Sequence, residues 1–150
     1  MNIAAMLPED RVVLNLNVRD KAQLLAELGR IVADTGGPVT AAAVTEALRR
    51  REQLGSTGLG RGFALPHASL AGIGTYVVAL VRLAQPIAFD AIDGAPVDLV
   101  CLLLTPADGG SHVAAMAAIS RLFRDRECER RIRAAGSVQE VLAAVEQSAH

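Results

Sequence analysis

Apolar positions recur with two different periods along this 150-residue chain. Val12, Leu14, Leu16 and Val18 are interleaved with Asn15 and Asn17. That two-residue period predicts a half-buried strand with the four apolar side chains on one face. The period then lengthens. Asp20 is placed to cap a helix whose stripe is Leu24, Leu25, Leu28, Ile31 and Val32, and Gly36-Gly37-Pro38 ends it. Thr40 opens a second helix with Val44, Ala47 and Leu48 inward. Arg49, Arg50 and Arg51 fall in its last turn, where cations complement the carbonyl end of the helix dipole.

Beyond the glycines that follow, Phe63-Ala64-Leu65 is short and apolar. Pro66 then removes a backbone donor just before His67, which puts that histidine at a strand end or edge. Residues 76–83 predict another strand, 86–90 a brief extended piece leading to a turn at Asp93-Gly94, and 97–104 a central strand. The last is apolar almost throughout, as burial on both faces requires. Residues 106–110 read as a loop, and Ser111 is placed to cap a helix carrying Val113, Met116, Ile119 and Phe123. Asp125 starts a further helix ending near Gly136, and Ser137-x-x-Glu140 is a capping box ahead of Val141, Leu142 and Val145. Strands and helices alternate without repeats or linkers. One α/β domain over residues 1–150 is predicted, a layered mixed β-sheet flanked by helices on both faces.

Composition narrows the function. Hydrophobic residues make up 51%, which excludes a disordered chain, and the formal net charge is −1. A near-neutral chain lacks the basic face that nucleic acid requires. The arginine-rich run 121–133 is interleaved with acids and reads as a solvated, self-paired helical face. Cys101 and Cys128 have no metal-ligand spacing and read as buried free thiols of a reducing compartment. The N-terminus lacks the features of a secretion signal, and no apolar run approaches the ~20 residues that cross a bilayer. A soluble cytoplasmic protein without membrane insertion is expected.

The chemistry concentrates in residues 51–68, REQLGSTGLGRGFALPHA, with four glycines among the eight positions 55–62. Glycines let backbone N–H groups approach an anion, Arg51 can fork onto phosphate oxygens, and a neutral imidazole at His67 is a nucleophile. His112 falls at a helix start, where N–H groups and the dipole favour an anion. The loop lacks the Gly-Lys-Ser/Thr ending of a P-loop and feeds an apolar segment instead of a helix, which argues against a nucleotide fold. Zinc would find a poor ligand set, with no metal expected. Ser56 lacks a nucleophile-elbow context, and the acids show no spacing for paired-carboxylate hydrolysis. On residues alone, a structural turn and two structural histidines remain open beside the phosphoryl-acceptor reading.

The run Arg51-Glu-x-Leu-Gly-Ser-Thr-Gly-Leu-Gly-Arg-Gly-Phe-Ala-Leu-Pro-His67 resembles the signature of the fructose/mannitol-type enzyme IIA domains of the bacterial phosphotransferase system. It looks most like their nitrogen-regulatory branch (IIA-Ntr). A second signature of that branch is matched by Pro86-Ile-Ala-Phe-Asp-Ala-Ile-Asp-Gly-Ala-Pro-Val-Asp-Leu99, and the likeness runs through Leu104–Asp108 and Ser111-His112 to the last helix. It implies a mixed sheet with helices on both faces. It implies that His67 takes a phosphoryl group from an HPr-type phosphocarrier, that His112 supports the group without carrying it, and that Arg51 neutralises charge during transfer. Ser56 and Thr57 are implied as hydrogen-bond donors to the phosphoryl group, with no cofactor. It further implies regulatory target proteins; outputs in the family include potassium transport or sensor proteins, nitrogen-linked transcription and carbon storage. A binding module that no longer exchanges phosphate, and a IIA component of a sugar-transporting system, remain the alternatives. Two positions depart from the pattern. Arg61 stands where an uncharged or weakly basic residue is common, and is expected to add charge beside the phosphoryl group or meet an acidic partner. Ala68 stands where glycine is usual.

Overall fold

The computed structural model describes residues 2–107 and 112–148. Six strands form one mixed sheet: β1 (Val12–Leu16), β2 (Gly58–Gly60), β3 (Phe63–Ala64), β4 (His67–Leu70), β5 (Val77–Ile87) and β6 (Val97–Pro106). β6 is the central strand that its apolar run predicts, buried at every residue except Asp98 and Pro106. β5 pairs with it antiparallel on one side and leads to β1, which runs parallel to β5. On the other side lie β3 and β4, both parallel to β6, with β2 antiparallel to β3 at the edge.

β3 and β4 are one strand with a break. Phe63 faces Leu99, and His67 faces Leu103, so the register is the same across Leu65-Pro66. Pro66 has no N–H to give, though its carbonyl still accepts from Leu103 N at 3.0 Å. Leu65 N turns instead to Thr57 O at 3.0 Å. His67 therefore opens a strand, as Pro66 leads one to expect.

Helices cover both faces. On one, α2 (Lys21–Asp34) and α3 (Ala41–Gln53) lay Leu24, Leu28, Val32, Val44 and Leu48 onto Ala79, Val81, Val100 and Leu102. On the other, α4 (His112–Arg124), α5 (Arg126–Ala134), α6 (Val138–Ser148) and the short α1 (Ile3–Met6) pack Ile119, Phe123, Ile132, Val141 and Ile3 onto Val78, Leu80, Leu99 and Cys101. Asp20, Thr40 and Asp125 each cap their helix through a side-chain oxygen. Arg82 of β5 supplies what α5 lacks at its other end: Nη1 donates to the carbonyls of Ile132 (2.9 Å) and Ala135 (2.7 Å). Both cysteines are buried and free, and burial pushes the Cys101 thiol up to about 12. None of the helices among the described residues is long and apolar enough to cross a membrane.

Three details differ from the sequence expectation. Val12, Leu14, Leu16 and Val18 do not share a face. Asn15 is left-handed (φ 59°), the register shifts between Val13 and Leu16, and Leu16 and Val18 join the α2–α3 side while Val12 and Leu14 pack opposite. Asparagine tolerates that backbone, and an inserted residue flips all that follows. The extended pieces at 76–83 and 86–90 fuse into the single β5, whose ladder becomes irregular between Arg82 and Ile87, where Pro86 lacks a donor. In the last capping box, Glu140 reaches Gly136 N (2.7 Å) while Ser137 Oγ accepts from Glu140 N (3.2 Å). The expected cap at Ser111, most of the loop at 106–110, and His150 lie outside the described residues.

Candidate functional site

Three chain breaks bring three side chains together. α3 ends at Gln53, so its last turn presents Arg51; the Pro66 break presents His67; the start of α4 presents His112. All three line one open cleft of about 200 Å³, with Ser69, Leu103 and Thr105 as its wall. Ser69 and Thr105 hydroxyls meet at 3.0 Å, on the sheet face that also carries His67. The cleft is smaller than pockets that enclose drug-sized ligands, roughly 300–1,000 Å³. Its scale suits a small group presented by a second macromolecule.

The ring of His67 is oriented from both ends. Nδ1 lies 2.8 Å from Leu65 O, an atom that only accepts, so Nδ1 carries the proton. Nε2 lies 3.2 Å from Arg51 Nε, which only donates, so Nε2 holds the lone pair. Burial holds the imidazole pKa below its ordinary value; the Leu65 carbonyl opposes this, and the Arg51 and His112 charges reinforce it. At neutral pH the ring is thus uncharged, with one nitrogen available.

Arg51 also donates Nη1 to Gly55 O at 2.9 Å, and it has no carboxylate partner among the described residues. Its neighbour Glu52 is occupied elsewhere. One Glu52 oxygen takes Lys21 Nζ at 2.8 Å and Thr57 N at 3.1 Å, and the other takes the Thr57 hydroxyl. Lys21 stacks over the Phe89 ring at 4.3 Å, and Ser56 Oγ donates to Phe89 O at 2.7 Å while accepting from Gly58 N at 3.0 Å. The hydroxyls of Ser56 and Thr57 are therefore spent on folding the loop, and neither residue lines the cleft.

Sequence reasoning did not assign Glu52, Lys21, Ser69 or Thr105. Two signals were available: Glu52 adjoins Arg51 inside the motif, and Lys21 is the single lysine beside fourteen arginines. Ser69 and Thr105 meet only through the β4–β6 register.

The second half of the loop faces away. Arg61 and Gly62 form the turn of the β2–β3 hairpin with φ of 56° and 82°, as a two-residue hairpin turn requires. The Arg61 guanidinium donates to Phe123 O at 2.8 Å, at the end of α4, and lies 3.6 Å from Glu129. It does not line the cleft, so the expectation of charge beside a phosphoryl group is corrected: Arg61 braces the far end of the helix that carries His112. Glycine is needed at 62, because a Cβ there would stand 2.7 Å from Arg133 Nη2 and 2.9 Å from Asp98 Oδ1. Ala68 pairs with Leu104 in β4 and packs on the α2–α3 core, a place where a Cβ is at home.

Comparison with known proteins gives the chain its relatives. The family described as "Phosphoenolpyruvate-dependent sugar phosphotransferase system, EIIA 2" matches residues 5–148. The chain is 38% identical over 142 residues to a nitrogen regulatory protein of Bradyrhizobium diazoefficiens, covering 94% of this chain and 92% of that one. It is 30% identical to the 2-O-alpha-mannosyl-D-glycerate-specific EIIABC component of Escherichia coli, covering 97% of this chain and 23% of that protein. Among solved structures, the nitrogen regulatory protein IIA-Ntr of Neisseria meningitidis superposes with a TM-score of 0.85 at 34% identity, covering 95% of this chain and 98% of the other.

Proposed function

The chain belongs to the phosphoenolpyruvate-dependent sugar phosphotransferase system EIIA 2 family, and from that premise we propose that it is a regulatory phosphocarrier charged on Nε2 of His67 by an HPr-type protein. The observation that carries this reading is the neutral imidazole with Nδ1 fixed on Leu65 O and Nε2 open to the cleft beside Arg51. In the transfer, the Nε2 lone pair forms the new N–P bond as the donor's N–P bond breaks, and the donor imidazole leaves with that electron pair. The proton on Nδ1 stays, and the product imidazolium is stabilised by the Leu65 carbonyl. Arg51 moves from the ring nitrogen onto phosphoryl oxygens, and no carboxylate among the described residues competes for it. His112, which lines the same cleft, and the first turn of α4 support the group. The gain of about 1.5–2 negative charges then alters the surface that target proteins meet. Similarity to nitrogen regulatory proteins over nearly the whole chain supports regulation of protein targets as the output.

The test is incubation with phosphoenolpyruvate, enzyme I and an HPr-type carrier. Wild type is expected to gain one acid-labile phosphoryl group, with nitrogen-15 shifts assigning it to Nε2, and His67→Ala to gain none while keeping its circular dichroism. An unlabelled wild type, or an equally labelled variant, overturns the assignment.

A further inference from the structure

The corner where α4 meets α5 carries positive charge that the fold does not use. Residues 121–133 hold six arginines and three acids. Each acid has a structural task. Asp125 caps α5 through Glu127 N and Cys128 N and takes the Ser148 hydroxyl at 2.7 Å. Glu127 is held by Arg130 at 2.5 Å, and the buried Glu129 by Arg133 at 2.8 Å. The expectation of a self-paired face therefore holds for Arg130 and Arg133. It fails for Arg121, Arg124 and Arg126, which are exposed and have no partner among the described residues.

Helix stability does not account for all three. Arg121 and Arg124 lie in the last turn of α4, where the dipole favours cations. Arg126 is the first residue of α5, where the dipole disfavours one. Beside them, a notch of about 210 Å³ opens between β2 and α4, lined by Leu59, Arg61, Phe63, Ser120, Phe123 and Arg124. Its floor is the stacked pair Phe63–Phe123, with ring centroids 3.6 Å apart, and Leu59 at its rim is 49% exposed.

We propose that this corner docks an acidic, extended segment of a partner protein, with carboxylates on Arg121, Arg124 and Arg126 and one apolar side chain in the notch. Charge complementarity selects an acidic occupant. A membrane surface fits less well, because Cys128 and Ile132 on the apolar face of α5 are buried in the core and cannot insert. Nucleic acid would meet a chain of net charge −1 with few exposed stacking groups. α4 spans thirteen residues, ~20 Å along its axis, so the corner stands about two Debye lengths from the cleft. A partner seated there senses the charge at His67 weakly, and the docking is independent of the phosphocarrier reading.

The probe is a short synthetic peptide of Glu and Asp around one Phe, titrated into the nitrogen-15-labelled, unphosphorylated protein. Shift changes are expected at residues 59–63 and 118–130, weakening steeply with salt. The triple variant R121E/R124E/R126E is expected to bind at least about tenfold more weakly. Arg126→Glu alone is expected to weaken binding while its melting temperature stays equal or rises, a combination that fold damage cannot produce. Shifts centred on Arg51 and His67, undiminished binding by the triple variant, or tighter binding to phosphatidylserine vesicles or duplex DNA than to the peptide would each overturn the proposal.

Discussion

In the first half of the 51–68 motif, Arg51 donates to His67 and to the Gly55 carbonyl and meets no carboxylate among the described residues. In the second half, Arg61 and its neighbour Arg133 are tied down: Arg61 to Phe123 O and Glu129, Arg133 to Glu129, Asp98 and Arg61 O. The two halves lie a few residues apart in one motif, yet one keeps its cation available and the other uses cations as rivets. The difference depends on where the acids go. Glu52 adjoins Arg51 but is taken by Lys21 and Thr57, whereas Glu129 and Asp98 are aimed at the arginines. An arginine already paired with a carboxylate would have to give up that pair to bind a phosphoryl group.

Removing the available cation is expected to have the largest effect. Arg51→Ala should slow phosphoryl transfer by roughly 10²–10³ with little change in melting temperature. A rate within a few-fold of wild type in rapid-quench labelling would erase the distinction between the two halves. Glu52→Gln comes next: it weakens the ties to Lys21 and Thr57, costs about 1–2 kcal/mol of stability in urea unfolding and slows transfer about tenfold, because the loop whose Gly55 carbonyl holds Arg51 loosens. Lost stability at an unchanged rate would make Glu52 a rivet like Glu129. Glu129→Gln should cost a similar ~1–2 kcal/mol while the transfer rate stays within about threefold of wild type. A large loss of rate there would mean that α4 transmits strain from Arg61 to His112.

The smallest expected effect is the pH response. The folded pKa of His67 is depressed by burial, so below about 6.5 the unfolded chain takes up the proton first. Its contribution to stability is full above that pH and is lost as pH falls through the folded pKa. Transfer should follow the same direction, flat from neutral to mildly alkaline pH and falling as Nε2 protonates under acid. A His67→Gln variant should lose this part of the pH dependence of unfolding, and its persistence would assign the titration to another group.

Much of the architecture was legible. The helical stripes, the caps at Asp20, Thr40 and Asp125, and the buried run of β6 are local patterns, each written within a few neighbouring residues. The strand over 12–18 was misjudged in its faces because one left-handed residue, Asn15, reverses the alternation that follows. The Arg51 and His67 ends of the cleft were equally readable, since a helix end and a proline break fix them locally. Ser56 and Thr57 were not: hydroxyls in a phosphate-like loop look the same whether they face a ligand or their own backbone.

Local pattern alone dictates the layered α/β fold, the positions of the chain breaks and the residue types gathered around the glycine motif. Packing settles the rest: that Arg51 turns to His67 and away from the acid beside it, which nitrogen of His67 keeps its lone pair, and that Arg61 braces α4. Those outcomes depend on contacts between residues far apart in the chain, such as Arg61 with Phe123 and Arg133 with Asp98. An ion pair or a tautomer is set by whichever partner arrives within hydrogen-bond reach, and that is a property of packing which no local period records.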